Sequence, residues 1–517
     1  MALQKLPIGI QDFEKIRLGG YLYIDKTEHI YNLVTRGCYY FLSRPRRFGK
    51  SLLLSTIKAF FLGKRELFKG LAIDGKEDVE WAEHPVLYLD LNTERYDAKE
   101  KLENMLNDFL TKAEKIYGKE ESETSPGLRF QGIIKRACEK TGHRVVILVD
   151  EYDKPMLQAI GNRELQAEFR GTLKGFYGAL KSMDAYIKFA MLTGVTKFGK
   201  VSVFSDLNNL EDISMLRQYC DICGMTEEEL HTDMSSYIDR LATACGMSHE
   251  QCVEELRERY DGYHFHQKAK GMYNPFSVLN TFKNDEFGSY WFETGTPTYL
   301  VELLQSHDWN LNDMEHSDVD TDVINSVDSE STNPIPVIYQ SGYLTIKGYD
   351  EEFKLYKLGF PNKEVEEGFI KYLAPFYLSK QRKANAFDVR SFTADVREGK
   401  PEQFCKRLKS LFADTPYELV KDLENHYQNI VWVVFKILGF YSHAEYHTSD
   451  GRIDLLIESP KFRYVMEFKL DGTAEEALEQ IKQKDYVLPF TMDDKQTFLI
   501  GMNFDSETRN IERWVLE

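Results

Sequence analysis

Two groups of residues in this 517-residue chain have the types and spacing to handle phosphate chemistry, and they lie far apart in the sequence. The first is Arg44-Pro45-Arg46-Arg47-Phe48-Gly49-Lys50-Ser51. If a helix opens at its end, the backbone amides of Arg46, Arg47, Phe48, Gly49, Lys50, Ser51 and Leu52 would face the phosphates of a nucleotide. Lys50 would then reach the β and γ oxygens and Ser51 a magnesium ion. Arg44 departs from the usual pattern, because it stands where such loops carry their first glycine. About a hundred residues on, the apolar run Arg144-Val145-Val146-Ile147-Leu148-Val149 ends in Asp150-Glu151. Asp150 suits a metal-holding carboxylate and Glu151 a residue that polarises an attacking water. A third run, Tyr186 to Leu192, ends in Thr193-Gly194-Val195-Thr196. Thr193 is the preferred γ-phosphate-sensing hydroxyl and Thr196 the second choice.

The other group is near the C-terminus: Asp454 in Gly451-Arg452-Ile453-Asp454, and Glu467 and Lys469 in Glu467-Phe468-Lys469. If the flanking apolar runs form a hairpin turning between Pro460 and Lys461, Asp454 lies across from Glu467, with Cβ atoms roughly 4.5 to 5.5 Å apart. Two facing carboxylates destabilise a sheet unless a cation lies between them, so the pair implies a divalent metal. Lys469 projects from the same face, where its ammonium can orient water or offset charge on a scissile phosphate. This is the Asp-x12-Glu-x-Lys spacing of a metal-dependent nuclease site. Glu424 is a candidate third carboxylate, while Gln480 and Tyr486 read more readily as helix-surface residues. The competing reading of the strands is a solvated outer face, since charged and apolar residues alternate on any half-buried strand.

These residues need particular elements to position them. Cys38 to Leu42 reads as a buried strand and Ser51 to Phe61 as a helix, the strand-loop-helix context a phosphate loop requires. Pro85 to Asn92 adds a core strand. Thr226-Glu227-Glu228-Glu229 and Ser248-His249-Glu250-Gln251 carry capping-box spacing and open two helices. The acidic stretch Asn312 to Thr332 reads as a loop before a strand pair near Tyr339 and Leu355. Cys220-x2-Cys223 with Cys245 and Cys252 has the wrong spacing for zinc.

Size and composition limit what these elements can build. The length suggests three or four domains, and 42% hydrophobic residues with 15 prolines excludes wholesale disorder. Seven scattered cysteines fit a reducing compartment. The start Met1-Ala-Leu-Gln-Lys-Leu-Pro and the lack of any run near ~18 apolar residues predict a soluble cytoplasmic protein with no membrane partner. A net charge of -18 excludes an indiscriminate polyanion binder, although Arg36 to Arg65 carries eight basic residues and no acid. Residues 421–517 carry 11 basic and 18 acidic groups, so any nucleic-acid grip there needs help.

Taken in order, these motifs resemble bacterial proteins that pair an AAA-ATPase-like domain with a C-terminal PD-(D/E)XK nuclease-superfamily domain. Also part of the resemblance are Tyr23-Ile24-Asp25-Lys26-Thr27, Asp150-Glu151-Tyr152-Asp153-Lys154-Pro155, Tyr260-Asp261-Gly262-Tyr263, Tyr273-Asn274-Pro275-Phe276-Ser277 and Gln340-Ser341-Gly342-Tyr343-Leu344. The resemblance implies an α/β multidomain chain: a P-loop NTPase with a doubly wound parallel sheet, a helical or winged-helix-like lid, and a restriction-endonuclease-like α/β domain. It also implies that Arg44 is usual in the family. The expected division is 1–215 for the ATPase domain, 216–310 for the lid, 311–380 for a connection and 381–517 for the nuclease-like domain. The expected activity is an ATP-dependent or ATP-gated nuclease using ATP and Mg2+, with Mn2+ an alternative at the nuclease site. DNA is the favoured partner, and a homo-oligomer is compatible with the sequence. The alternative is an ATP-operated switch whose nuclease-like domain only docks a partner.

Overall fold

The computed structural model describes residues 3–197, 209–292, 318–325, 333–377, 389–413, 424–437, 441–448, 451–484, 494–508 and 510–517, with a few single positions between these runs. The chain divides into two compact units, Met1–Leu300 with Ser317–Val365, and Val301–His316 with Glu366–Glu517.

The first unit is built on five parallel strands: β1 Tyr39–Ser43, β2 Val86–Asp90, β3 Val145–Asp150, β4 Ile187–Gly194 and β5 Glu211–Asp212. Their order across the sheet is β2-β3-β4-β1-β5. Every residue of β1 and β3 is buried, as expected where helices cover both faces of a parallel sheet. Because β4 pairs with both β1 and β3, Thr193 at its end falls between the loop after β1 and the carboxylates after β3.

Two of the helices that follow are fixed by their N-termini. Glu227–Cys245 and His249–Tyr260 each open with a complete capping box, Thr226 with Glu229 and Ser248 with Gln251. Their apolar faces meet the helix Pro275–Asn284 in a core that includes Leu230, Met234, Ile238, Leu256, Val278 and Phe282. Further on, Tyr339 lies in the helix Ile335–Gln340 and not in a strand. Prolines at 334 and 336 preset helical φ angles for its first turn, and an apolar run buried all round has no period to tell helix from strand. The strand pair begins later, with β7 Thr345–Asp350 against β8 Leu355–Gly359, and β6 Asp318–Val319 is added at the side of β8. Most of Asn312 to Thr332 lies outside the described residues.

The second unit carries a mixed sheet of β9 Tyr441–Thr448, β10 Gly451–Glu458, β11 Phe462–Leu470, β12 Gln496–Asp505 and β13 Asn510–Leu516, in the order β13-β12-β11-β10-β9. The helix Ala474–Gln483 packs on β11, β12 and β13. The helices Val389–Arg397 and Pro401–Ala413 also pack on the sheet: the Tyr464 hydroxyl donates to Val396 O at 2.6 Å, and Phe404 and Phe412 meet Tyr464 and Phe504. Among the described residues no helix is long and apolar enough to cross a membrane.

Candidate functional site

The loop between β1 and the helix Lys50–Phe61 is held from behind by its own side chains. Arg44, 1% exposed, donates to the carbonyls of Ser43 and Ser214 at 2.9 and 2.8 Å and of Tyr219 at 2.9 Å, and its guanidinium lies 4.0 Å from the Phe265 ring centre. Its bonds run to backbone carbonyls of the fold, which accounts for an arginine at the position of the first glycine. Phe48 is also buried, edge-on to Tyr263 and Phe265, so only its backbone faces the loop's outer side. Gly49 has φ +97°, a left-handed conformation that a side chain would strain, and it delivers the chain into the helix.

Lys50 is 3% exposed, and its ammonium is 3.1 and 3.3 Å from the carbonyls of Arg44 and Pro45 and 3.2 Å from Glu151 Oε1. The lysine thus lies over its own loop, joined to a residue from the neighbouring motif. Asp150 is buried and accepts from the Thr193 hydroxyl at 2.7 Å and from the Tyr88 hydroxyl at 3.3 Å. Glu151 has φ +53°, a strained position of the kind that gathers at functional sites. Ser51 and Tyr88 help line a cleft of about 330 Å³ that runs along Ser55 and Lys58. The sequence-predicted residues Lys50, Ser51, Asp150, Glu151 and Thr193 therefore gather at the C-terminal ends of β1, β3 and β4, where open α/β sheets bind ligands. The donor set suits Mg-ATP: amides at a helix start, an ammonium, a hydroxyl and a buried carboxylate.

Asp153 was not singled out from the sequence. It is fully buried and accepts from the amides of Val195 and Thr196 and from the Thr196 hydroxyl. Burial, with the charge of Glu151, pushes its carboxyl up to about 6. It ties the Asp150-Glu151 turn to the end of β4, and Thr196 serves that tie. Its signal in the sequence was its place in the Asp150–Pro155 motif, three residues after Asp150.

In the second unit β10 and β11 pair antiparallel in the expected register, Leu455 with Met466 and Leu456 with Val465. Asp454 and Glu467 come one step beyond the last of these pairs. There Asp454 Oδ2 accepts from the amide of Phe468 at 2.9 Å. Glu467 is 2% exposed, and its Oε1 accepts from the Gln480 side-chain amide and lies 3.7 Å from the Lys469 ammonium. Lys469 donates to Gln480 Oε1 at 2.7 Å, so Gln480 joins acid and base.

Helix Ala474–Gln483 comes this close because Gly501, beside Glu467 on β12, has no side chain: a Cβ there would meet Ala474 O at 2.2 Å. Gln480, which the sequence favoured as a surface residue, belongs to the cluster, whereas Tyr486 is buried with Ile453, Leu456 and Ile481 in the core. Glu424 starts the helix Glu424–Ile437, and its side chain lies outside the described residues. Two carboxylates are hard oxygen ligands, the donor type that Mg2+ and Mn2+ take.

Comparison with known proteins agrees with both halves. A family model described as a predicted AAA-ATPase matches residues 7–204, and one described as the PD-(D/E)XK nuclease superfamily matches residues 422–514. Across its whole length the chain is 34% identical to the uncharacterized protein in the vnfD 5' region of Azotobacter chroococcum mcd 1, and the alignment covers 99% of that protein. The chain therefore belongs to the family of proteins that join an AAA-ATPase-like domain to a C-terminal domain of the PD-(D/E)XK nuclease superfamily.

Proposed function

We propose that the chain is an ATP-dependent or ATP-gated nuclease that uses a divalent metal to cut DNA, with ATP hydrolysis controlling the second unit. The observation that carries this reading is that Glu467 and Lys469 are joined by Gln480, with Asp454 bonded to the Phe468 amide between them, in a chain that also brings Lys50, Asp150, Glu151 and Thr193 together. In this reading residues 1–215 bind nucleotide, 216–310 form a lid, 311–380 connect and 381–517 cut.

At the nucleotide site the amides of residues 46–52 hold phosphates, Lys50 leaves its carbonyls and Glu151 for the β and γ oxygens, and Ser51 and Asp150 hold Mg2+. Glu151, once released from Lys50, orients water, while Thr193 keeps Asp150 in place. At the second site Asp454 and Glu467, with Glu424 the candidate third carboxylate, hold Mg2+ or Mn2+. A metal there supplies Lewis acidity and a more acidic bound water. Lys469, steadied by Gln480, holds its charge next to the scissile phosphate.

A second reading is an ATP-operated switch whose second unit only docks a partner. The closed network of Glu467, Gln480 and Lys469 and the acidic balance of residues 421–517 favour it. The test is cleavage of labelled single- and double-stranded DNA and RNA with Mg2+ or Mn2+, with and without ATP, beside Glu467→Ala. ATP-sensitive cutting of DNA that the variant loses while keeping ATP turnover supports the nuclease. Intact ATP turnover with no cutting under any condition selects the switch.

A further inference from the structure

The loop Arg44–Gly49 is gripped from outside by residues that neither the nucleotide nor the nuclease reading uses. The Trp291 indole N–H donates to Arg46 O at 3.1 Å. One residue on, Arg47 holds φ +68° with its guanidinium 3.8 Å from the Phe276 ring centre. Both holding residues lead to one carboxylate. Glu364, 2% exposed, accepts from the backbone amide of Trp291 at 2.8 Å through Oε1 and from the hydroxyl of Ser277, next to Phe276, at 2.7 Å through Oε2. Trp291 is itself wedged edge-on against Tyr343 at 5.2 Å, and Gly342 sits directly against Pro45 at the start of the loop.

A residue held at φ near +68° persists only where its surroundings over-determine it, since the left-handed region is disfavoured for a side-chain-bearing residue. Two contacts on consecutive loop residues, drawn to one buried carboxylate, supply that determination. A carboxylate is an uncommon choice for a buried anchor, because it must be fully hydrogen-bonded to be tolerated. It has a use here: its two oxygens can accept from two different segments at once.

We infer that Glu364, Trp291 and Phe276 are positioning residues for the phosphate loop: together they fix the peptide planes at Arg46 and Arg47 so that the loop's amides are aimed at phosphate before the nucleotide arrives. This rests on the ATP-binding reading. Preorganised donors bind more tightly than donors that must be ordered on binding, so the clamp acts on nucleotide affinity, and the chemical step depends on other residues.

The variant that reads this most directly is Trp291→Phe, which keeps the ring against Tyr343 and removes the N–H to Arg46 O. ATP affinity is expected to fall roughly tenfold with kcat at saturating ATP within about twofold of the parent. In nucleotide-free protein, amide exchange at residues 46–51 quickens while the melting temperature barely moves. Glu364→Gln, which keeps an oxygen for the Trp291 amide and a group for Ser277, retains most of the affinity, and Glu364→Leu loses it. If Trp291→Phe has parental ATP affinity and parental exchange in the loop, the clamp is overturned. Absence of ATP binding in the parent protein sinks the ATP reading alone, because exchange in the nucleotide-free loop still decides the clamp.

Discussion

Arg44 and Lys50 lie six residues apart in one loop and carry the same charge, yet their surroundings give them different work. Arg44 is committed to three backbone carbonyls and the face of Phe265, so replacing it leaves buried acceptors without a donor. Arg44→Gly, which restores the more usual loop residue, is expected to lower stability by roughly 3 kcal/mol or more, read as an earlier melt. Lys50 rests on carbonyls that a phosphate replaces with a stronger partner. Lys50→Ala therefore lowers the melt less than Arg44→Gly does and weakens ATP binding roughly 10- to 100-fold, the worth of one charged hydrogen bond. If the two variants exchanged these phenotypes, their assigned roles would be reversed.

At the scale of elements, the hairpin shows what the sequence could and could not convey. Its register was legible because strand alternation and a short turn leave one pairing that keeps both apolar faces buried. The helix laid against it was also legible as a helix, but helical spacing does not say which side chain ends up over which strand. That choice was made by Gly501, forty-seven residues after Asp454 in the sequence and next to Glu467 in space. Gly501→Ala should push the helix Ala474–Gln483 outward, cost about 1–3 kcal/mol as overpacking does, and cut cleavage by breaking the Gln480 bridge. Unchanged cleavage would mean that Gln480 is not needed to hold Glu467 and Lys469.

The helix Lys363–Tyr377 hid its role differently. An acid in a first turn reads as a partner for the helix dipole, and only the packing of Trp291 and Ser277 reveals Glu364 as buried. Burial pushes its carboxyl up to about 7, even with Arg259 and Arg47 facing it, and with Tyr260 and Tyr263 as the other titratable neighbours. The folded state then holds a proton that the unfolded chain releases from about pH 4.5 upward, so stability falls as pH rises through this window and levels off above 7. Relative to Glu364→Gln, the parent's first unit should lose on the order of 3 kcal/mol between pH 4 and pH 8. Denaturant melts of the two proteins at both ends would show it, and parallel pH curves would refute it.

For the whole molecule, the question is whether two active-site-like constellations in one chain act as one machine. Chain connectivity permits it, since both units belong to one chain. Thermodynamics supplies a test that does not depend on the route. If ATP changes the affinity of the second unit for DNA, DNA must change the affinity of the first for ATP by the same factor, typically about 5- to 150-fold in coupled proteins. Glu467→Ala lets this be measured without cutting, using a non-hydrolysable ATP analogue so that neither ligand is consumed. The expected outcome is two equal factors, both well away from one, while Lys50→Ala at an analogue concentration that saturates the parent shows a smaller apparent change in DNA affinity because its nucleotide site is left partly empty. DNA affinity should also fall steeply with salt, because phosphate contacts release counterions, while the ATP factor measured at fixed salt stays the same from either side. Two factors of one would mean that the units bind independently, and an ATP-gated nuclease would give way to two activities that share a chain.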